Sequence, residues 1–269
     1  MVLFFCYDVA MKKYIWILFI MLILVGCACT EQSQPVYMAE KEPVVIAVID
    51  TGFSSRAIPG EIIIEGKNYC NPEMSTEDTF GHGTAVASII LDIAPDVRLV
   101  PLVSNVYDDG KMLQVDHATL AQIIRDAVDV YHCDIINISA GLSQDQELVR
   151  DAIAYAEEKN VLVVAAAGND YAQNGEVMYY PAAYETVLAV GSLNSEEREI
   201  SEFSQRGDWV NLYVCGEEVT VKTLSGNTRI ENGTSYAAAK ISGYAAQLIF
   251  KEKDPLTTHQ LRERICEEY

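Results

Sequence analysis

Ser235 stands in residues 232–243, "NGTSYAAAKISG", after a flexible tripeptide and before a run of small residues that reads as a helix. Two roles suit a serine there. Its oxygen can cap the helix by accepting an orphan backbone N–H. It can also be a nucleophile, which requires a base, a carboxylate to orient the base, and donors for an oxyanion elsewhere in the chain. Asp50 ends the apolar run "VVIAVID", where a buried strand carries its carboxylate to the mouth of a sheet; Asp-Thr-Gly equally suits a turn. His82, in "GHGTAVAS", lies between glycines at the start of a small-residue helix, a setting for a site as well as for packing. His117, His132 and His259 lie on polar segments and read as surface residues. Asn169 closes "VVAAAGND", where its amide can donate into a cleft or its backbone can take a left-handed turn.

Positioning these four residues requires a frame, and the hydrophobic pattern supplies one. The runs "VVIAVID", "VRLVPLV", "DIINIS", "VLVVAAAGN", "TVLAVGSL" and "WVNLYV" read as strands. "HGTAVASIILDI" and residues 115–131, 147–159, 235–253 and 258–268 read as helices. Strands alternating with helices specify an α/β fold, a doubly wound parallel sheet in a single domain over residues 43–269. Ligands of such sheets bind beyond the carboxyl ends of the strands, where Asp50 and Asn169 fall.

Taken together, "VIDTGF", "GHGTAVAS", "INISAG", "VVAAAGN" and "NGTSYAAAKISG" stand in the order of the subtilisin family, and residues 44–250 resemble its serine peptidases. The order Asp, His, Ser and the lack of a G-x-S-x-G elbow exclude an α/β-hydrolase. The resemblance implies a three-layer αβα fold and a serine endopeptidase working through an acyl-enzyme. In it Ser235 is the nucleophile, His82 the general base and Asp50 its orienting carboxylate. Asn169 and the Ser235 backbone N–H form the oxyanion hole. Ser139, Ala140 and Gly141, with Ala166, Ala167 and Gly168, line a cleft in which an extended peptide adds as a strand. A peptide-binding protein that has lost catalysis is the alternative; the presence of all four residues weighs against it. A purely structural envelope lipoprotein leaves them unexplained.

Four departures from the family pattern stand out. Tyr236-Ala237-Ala238-Ala239-Lys240 replaces the usual Met-Ala-Ser-Pro-His, which removes a proline and no catalytic group. The helix after His82 runs directly into "APDVRLV", so the family's calcium loop is absent and neither cofactor nor metal is expected. About a dozen residues lie between Cys29 and Val44, too few for a folded propeptide. Tyr179 takes the place of a glycine near the floor of the main specificity pocket and shortens that pocket.

The whole chain has 269 residues, half of them hydrophobic, and a formal charge of −20 from 39 acidic and 19 basic residues. With no cluster of Lys and Arg, nucleic acid is excluded as a partner. Seven cysteines include no C-x-x-C pair; Cys133 and Cys215 lie in apolar runs and are expected to be buried thiols. Residues 1–26 read as a signal segment, with Lys12 and Lys13 before an apolar run too short to span a membrane and Met11 a better start than Met1. The ending "LVGC" resembles the bacterial lipoprotein signal, which implies lipidation at Cys27, a polar tether over 27–42 and an extracytoplasmic, membrane-anchored protein. An uncleaved anchor, or cleavage without lipid to give a secreted protein, is the alternative.

Overall fold

The computed structural model describes residues 41–108 and 110–269. In chain order the strands of the main sheet are β1 (Val45–Asp50), β2 (Lys67–Asn68), β3 (Arg98–Val103), β6 (Ile135–Ile138), β7 (Leu162–Ala166), β8 (Leu188–Leu193) and β9 (Leu212–Cys215). Two hairpins stand apart from it, β4 (Asn105–Asp108) with β5 (Lys111–Gln114), and β10 (Val219–Lys222) with β11 (Thr228–Glu231). The α-helices are α1 (His82–Ile93), α2 (His117–Asp129), α3 (Glu147–Glu158), α4 (Tyr171–Asn174), α5 (Thr234–Lys251) and α6 (Thr258–Glu268).

The main sheet has seven strands in the order β2-β3-β1-β6-β7-β8-β9, and every pairing is parallel. Its central strands are almost wholly apolar and buried because both faces are covered; the polar exceptions are Asp50 at the end of β1 and Asn137 on β6, which accepts from the Ser242 hydroxyl at 2.9 Å. Successive side chains of β1 serve opposite cores: Ile46 and Val48 pack with α1, α5 and α6, whereas Ala47 and Ile49 pack with α2 and α3. This is the expected three-layer αβα arrangement, and residues 42–269 form one compact unit.

Local chemistry sets the helix ends. Asp116 caps α2 by accepting from the Thr119 N–H at 2.8 Å. Thr257 and Gln260 form a reciprocal capping box on α6. Helix α1 spans the expected "HGTAVASIILDI". Neither hairpin was expected from the pattern. Cys133 is buried, but Cys215 is only half-buried: β9 is the edge strand, so its alternate residues Tyr213 and Cys215 are incompletely covered. His117, His132 and His259 are exposed.

The signal segment, Cys27 and the tether up to residue 40 lie outside the described residues. No described helix is long and apolar enough to cross a membrane.

Candidate active site

Parallel strands and the helices that follow them bring three chain segments to one end of the sheet. Asp50, the last residue of β1, is buried, and the Thr51 N–H donates to its Oδ1 at 2.7 Å. His82 begins α1, and its Nδ1 lies 2.8 Å from Asp50 Oδ1 and 2.9 Å from Oδ2. This close approach needs a glycine after the histidine. A Cβ on Gly83 would lie 2.4 Å from the Gly52 carbonyl oxygen and 3.2 Å from Asp50 Cβ.

A second buried carboxylate, Asp78, fixes the turn that carries His82. Its Oδ1 accepts from the N–H groups of Phe80 and Gly81, and its Oδ2 from the N–H and hydroxyl of Thr84. In this way Asp78 occupies the position of a side-chain cap that Gly81 cannot provide. Burial pushes the His82 pKa down, but the charge and hydrogen bond of Asp50, with the charges of Asp78 and Glu231, more than offset it and leave the pKa raised. The His82 side chain keeps 26% of its surface exposed, against 3% for Asp50, so the imidazole reaches the cleft while its partner does not.

Ser235 sits in the first turn of α5 and is buried. It is not the cap: Gly233 holds that position, and the capping oxygen comes from Asn169. Asn169 Oδ1 accepts from both the Thr234 N–H and the Thr234 hydroxyl, each at 2.8 Å. Because a backbone N–H only donates, this bond fixes which way the Asn169 amide faces. Among the described residues, neither Asn169 Nδ2 nor the Ser235 backbone N–H has an acceptor. Two unengaged donors therefore stand at the start of a helix, where the macrodipole adds partial positive charge. Ser235 and His82 are not hydrogen-bonded to each other. The ring of Tyr236, next in sequence to Ser235, lies 5.9 Å from the His82 ring, and burial pushes its hydroxyl pKa up to about 12.

Beside Ser235 a cavity of about 370 Å³ is walled by Ser139, Ala140 and Gly141 on one side and Ala166 and Gly168 on the other, with Asn169 and Tyr179 also lining it. Ala167 does not line it, contrary to expectation. Its N–H bonds the Val190 carbonyl and its side chain is buried in the core, because alternate residues of an extended segment face opposite ways. The pattern does not single out Asp78 or Thr234, and marks Tyr236 only as a departure from the family's methionine. Asp78 lies four residues before His82, the spacing of a side chain reaching forward onto a helix start.

The subtilase family model matches residues 41–268. The chain belongs to the subtilase family. This subtilase is 34% identical over 233 residues to the minor extracellular protease Epr of Bacillus subtilis (strain 168), matching 82% of this chain and 34% of that one. It is 34% identical over 225 residues to the major intracellular serine protease of the same strain, matching 78% of this chain and 69% of that one. Thus it spans only about a third of the length of the extracellular relative. Among solved structures it is similar to a cold adapted subtilisin-like serine proteinase, with a TM-score of 0.70, 26% identity, and coverage of 82% of this chain and 80% of that one.

Proposed function

We propose that this subtilase is a serine endopeptidase that hydrolyses peptide bonds through an Asp50–His82–Ser235 triad and an acyl-enzyme. The observation that carries the reading is the buried Asp50 carboxylate bonded to His82 Nδ1 next to a cleft with two free donors. That bond keeps the Nδ1 proton in place and leaves Nε2 unprotonated as a base. Ser235 Oγ attacks the scissile carbonyl carbon as its proton passes to His82 Nε2. The tetrahedral oxyanion is held by Asn169 Nδ2 and the Ser235 N–H. His82 then returns the proton to the leaving amine, and water hydrolyses the acyl-enzyme by the same route. The bond between Ser235 and His82 forms once substrate is in place. A fluorophosphonate probe tests this directly: peptide mapping should find the adduct on Ser235 and nowhere else, and an unlabelled native protein would refute the triad.

The relatives include an extracellular and an intracellular protease, so family membership leaves the compartment open, and the reading is supported by the sequence of the N-terminal segment. We place the enzyme outside the cytoplasm, held at the membrane through a lipidated Cys27. Each buried methylene of the acyl chains contributes about 0.8 kcal/mol of membrane affinity. Cys27→Ala is expected to move the protein from the membrane fraction to the soluble fraction or to leave an uncleaved precursor. A wild-type protein found soluble and unlipidated would exclude the anchor.

The family's calcium site does not fit this chain. Helix α1 ends at Ile93 and β3 begins at Arg98, so four residues connect them and only Asp92 and Asp96 offer carboxylates nearby. Calcium takes about 6–8 oxygen ligands. The thermal midpoint is therefore expected to be the same in excess EDTA and in millimolar calcium, with magnesium as the control for general screening of an acidic surface. A rise specific to calcium would reveal a site.

A further inference from the structure

Tyr179 stands in the cavity beside Ser235 in a way that selects the substrate. A Cβ built on Gly141 would lie 3.1 Å from Tyr179 Cβ and 3.3 Å from its Cδ1; one built on Gly168 would lie 2.7 Å from its Cδ2. These two glycines belong to the opposing segments that wall the cavity. The tyrosine ring is thus wedged between the two walls, in contact with both backbones.

The ring is also tied down. Its hydroxyl donates to Asp170 Oδ2 at 2.6 Å. Asp170 accepts as well from Asn174 Nδ2 at 2.6 Å and from Gln205 Nε2 at 2.9 Å. Burial works against the Asp170 charge, yet these three hydrogen bonds hold its carboxyl below the usual carboxylate range. Gln205, itself fully buried, donates further to the Gly175 carbonyl oxygen and accepts from the Val177 N–H. Swinging the tyrosine out would break the hydroxyl bond and leave Asp170 short of a donor, so the ring is a fixed wall.

Peptide geometry converts this into specificity. The reacting carbonyl must lie against Ser235 Oγ with its oxygen toward Asn169. A side chain on the acyl side of the scissile bond that enters this cavity has to pass between the same two walls. We infer that Tyr179 fills the space this side chain would take, so that the enzyme cleaves after small residues, glycine, alanine or serine. The inference rests on the peptidase reading above. Of the approximately 370 Å³ left open, part must hold the peptide main chain and the carbonyl itself. A large apolar side chain would have to displace an anchored ring, and overpacking of that kind is costly. A lysine or arginine would find Asp170, the one carboxylate among the described residues lining the cavity, already engaged by three donors.

The test is kcat/KM on internally quenched peptides that differ only at this position, carrying Ala, Ser, Leu, Phe or Lys. The wild-type enzyme is expected to favour Ala and Ser over Leu, Phe and Lys by about tenfold or more, since even one methylene in a closed pocket discriminates about 10–200-fold. Tyr179→Gly should raise Phe relative to Ala by a similar factor, whereas Tyr179→Phe, which keeps the ring, should retain the order. Wild-type enzyme that prefers Phe, Leu or Lys overturns the inference, and so does a Tyr179→Gly enzyme with an unchanged ratio. Labelling of Ser235 by a fluorophosphonate, whose small phosphonyl group needs no side-chain pocket, separates the two readings. A labelled enzyme with the wrong preference refutes only this inference, and an unlabelled one refutes the peptidase reading together with it.

Discussion

Ser235→Ala is expected to lower kcat for peptide hydrolysis by about 10⁶-fold, the loss that follows removal of the serine in subtilisin, and to abolish labelling by fluorophosphonates. Stability should barely change. The Ser235 hydroxyl makes no hydrogen bond to any described residue, so its deletion leaves no buried partner unsatisfied. The change removes one oxygen at the first turn of α5, whose start is held by Asn169 and Thr234 instead. Alanine is also the better helix former. Loss of activity with an unmoved thermal midpoint is the signature of a reacting atom; loss of both would mean a structural role. Triad members act as a unit, so adding His82→Ala to Ser235→Ala should cost little more. Substantial peptidase activity in the alanine variant would place the nucleophile elsewhere.

Much of this site is legible in the sequence because each functional residue ends or begins an element with a strong local pattern. Asp50 closes an unbroken apolar strand, and His82 and Ser235 open helices rich in small residues. What was not legible depends on contacts between distant segments. Nothing near Asn169 announces that its oxygen caps a helix 65 positions further on, nor near Thr234 that its hydroxyl bonds back to that amide. The half-exposed Cys215 follows from β9 being an edge, a property of strand order and not of the "LYVC" pattern. The hairpin β4–β5 did carry a signal. Asp109-Gly110 stands between two short segments of mixed polarity, and Asp-Gly favours a two-residue turn. That the Ala167 side chain turns away from the cavity was within reach of the strand period, since it alternates with Ala166.

The second large effect belongs to Asp50. Asp50→Asn is expected to lower kcat near neutral pH by about 10⁴-fold with little change in shape. The hydrogen bonds of the carboxylate explain why. Oδ1 must accept from the Thr51 N–H, so an asparagine keeps its carbonyl there and presents its NH₂ at the Oδ2 position, 2.9 Å from His82 Nδ1. That amide donates where the carboxylate accepted and competes with the retained Oδ1, 2.8 Å from the same nitrogen, which favours the tautomer with its proton on Nε2 and depletes the base facing Ser235. The pH profile gives an independent reading. His82 serves as a base only when neutral, and its pKa is raised above the ordinary imidazole value of about 6.5, with Asp50 supplying the largest of the raising contributions. In the wild type the acid limb of kcat/KM should therefore lie above pH 6.5, with activity increasing as pH climbs through it. In Asp50→Asn the residual activity should carry this limb to lower pH, because burial then acts on the imidazole without the carboxylate to oppose it. Stability has the opposite sign: a raised His82 pKa stabilises the fold most below the unfolded value, and that contribution is lost as pH rises through the folded one. The proposed triad is thus expected to work where its own histidine–aspartate pair has given up its proton-linked stability. An acid limb that stays in place when Asp50 is replaced would show that another group sets the protonation of His82.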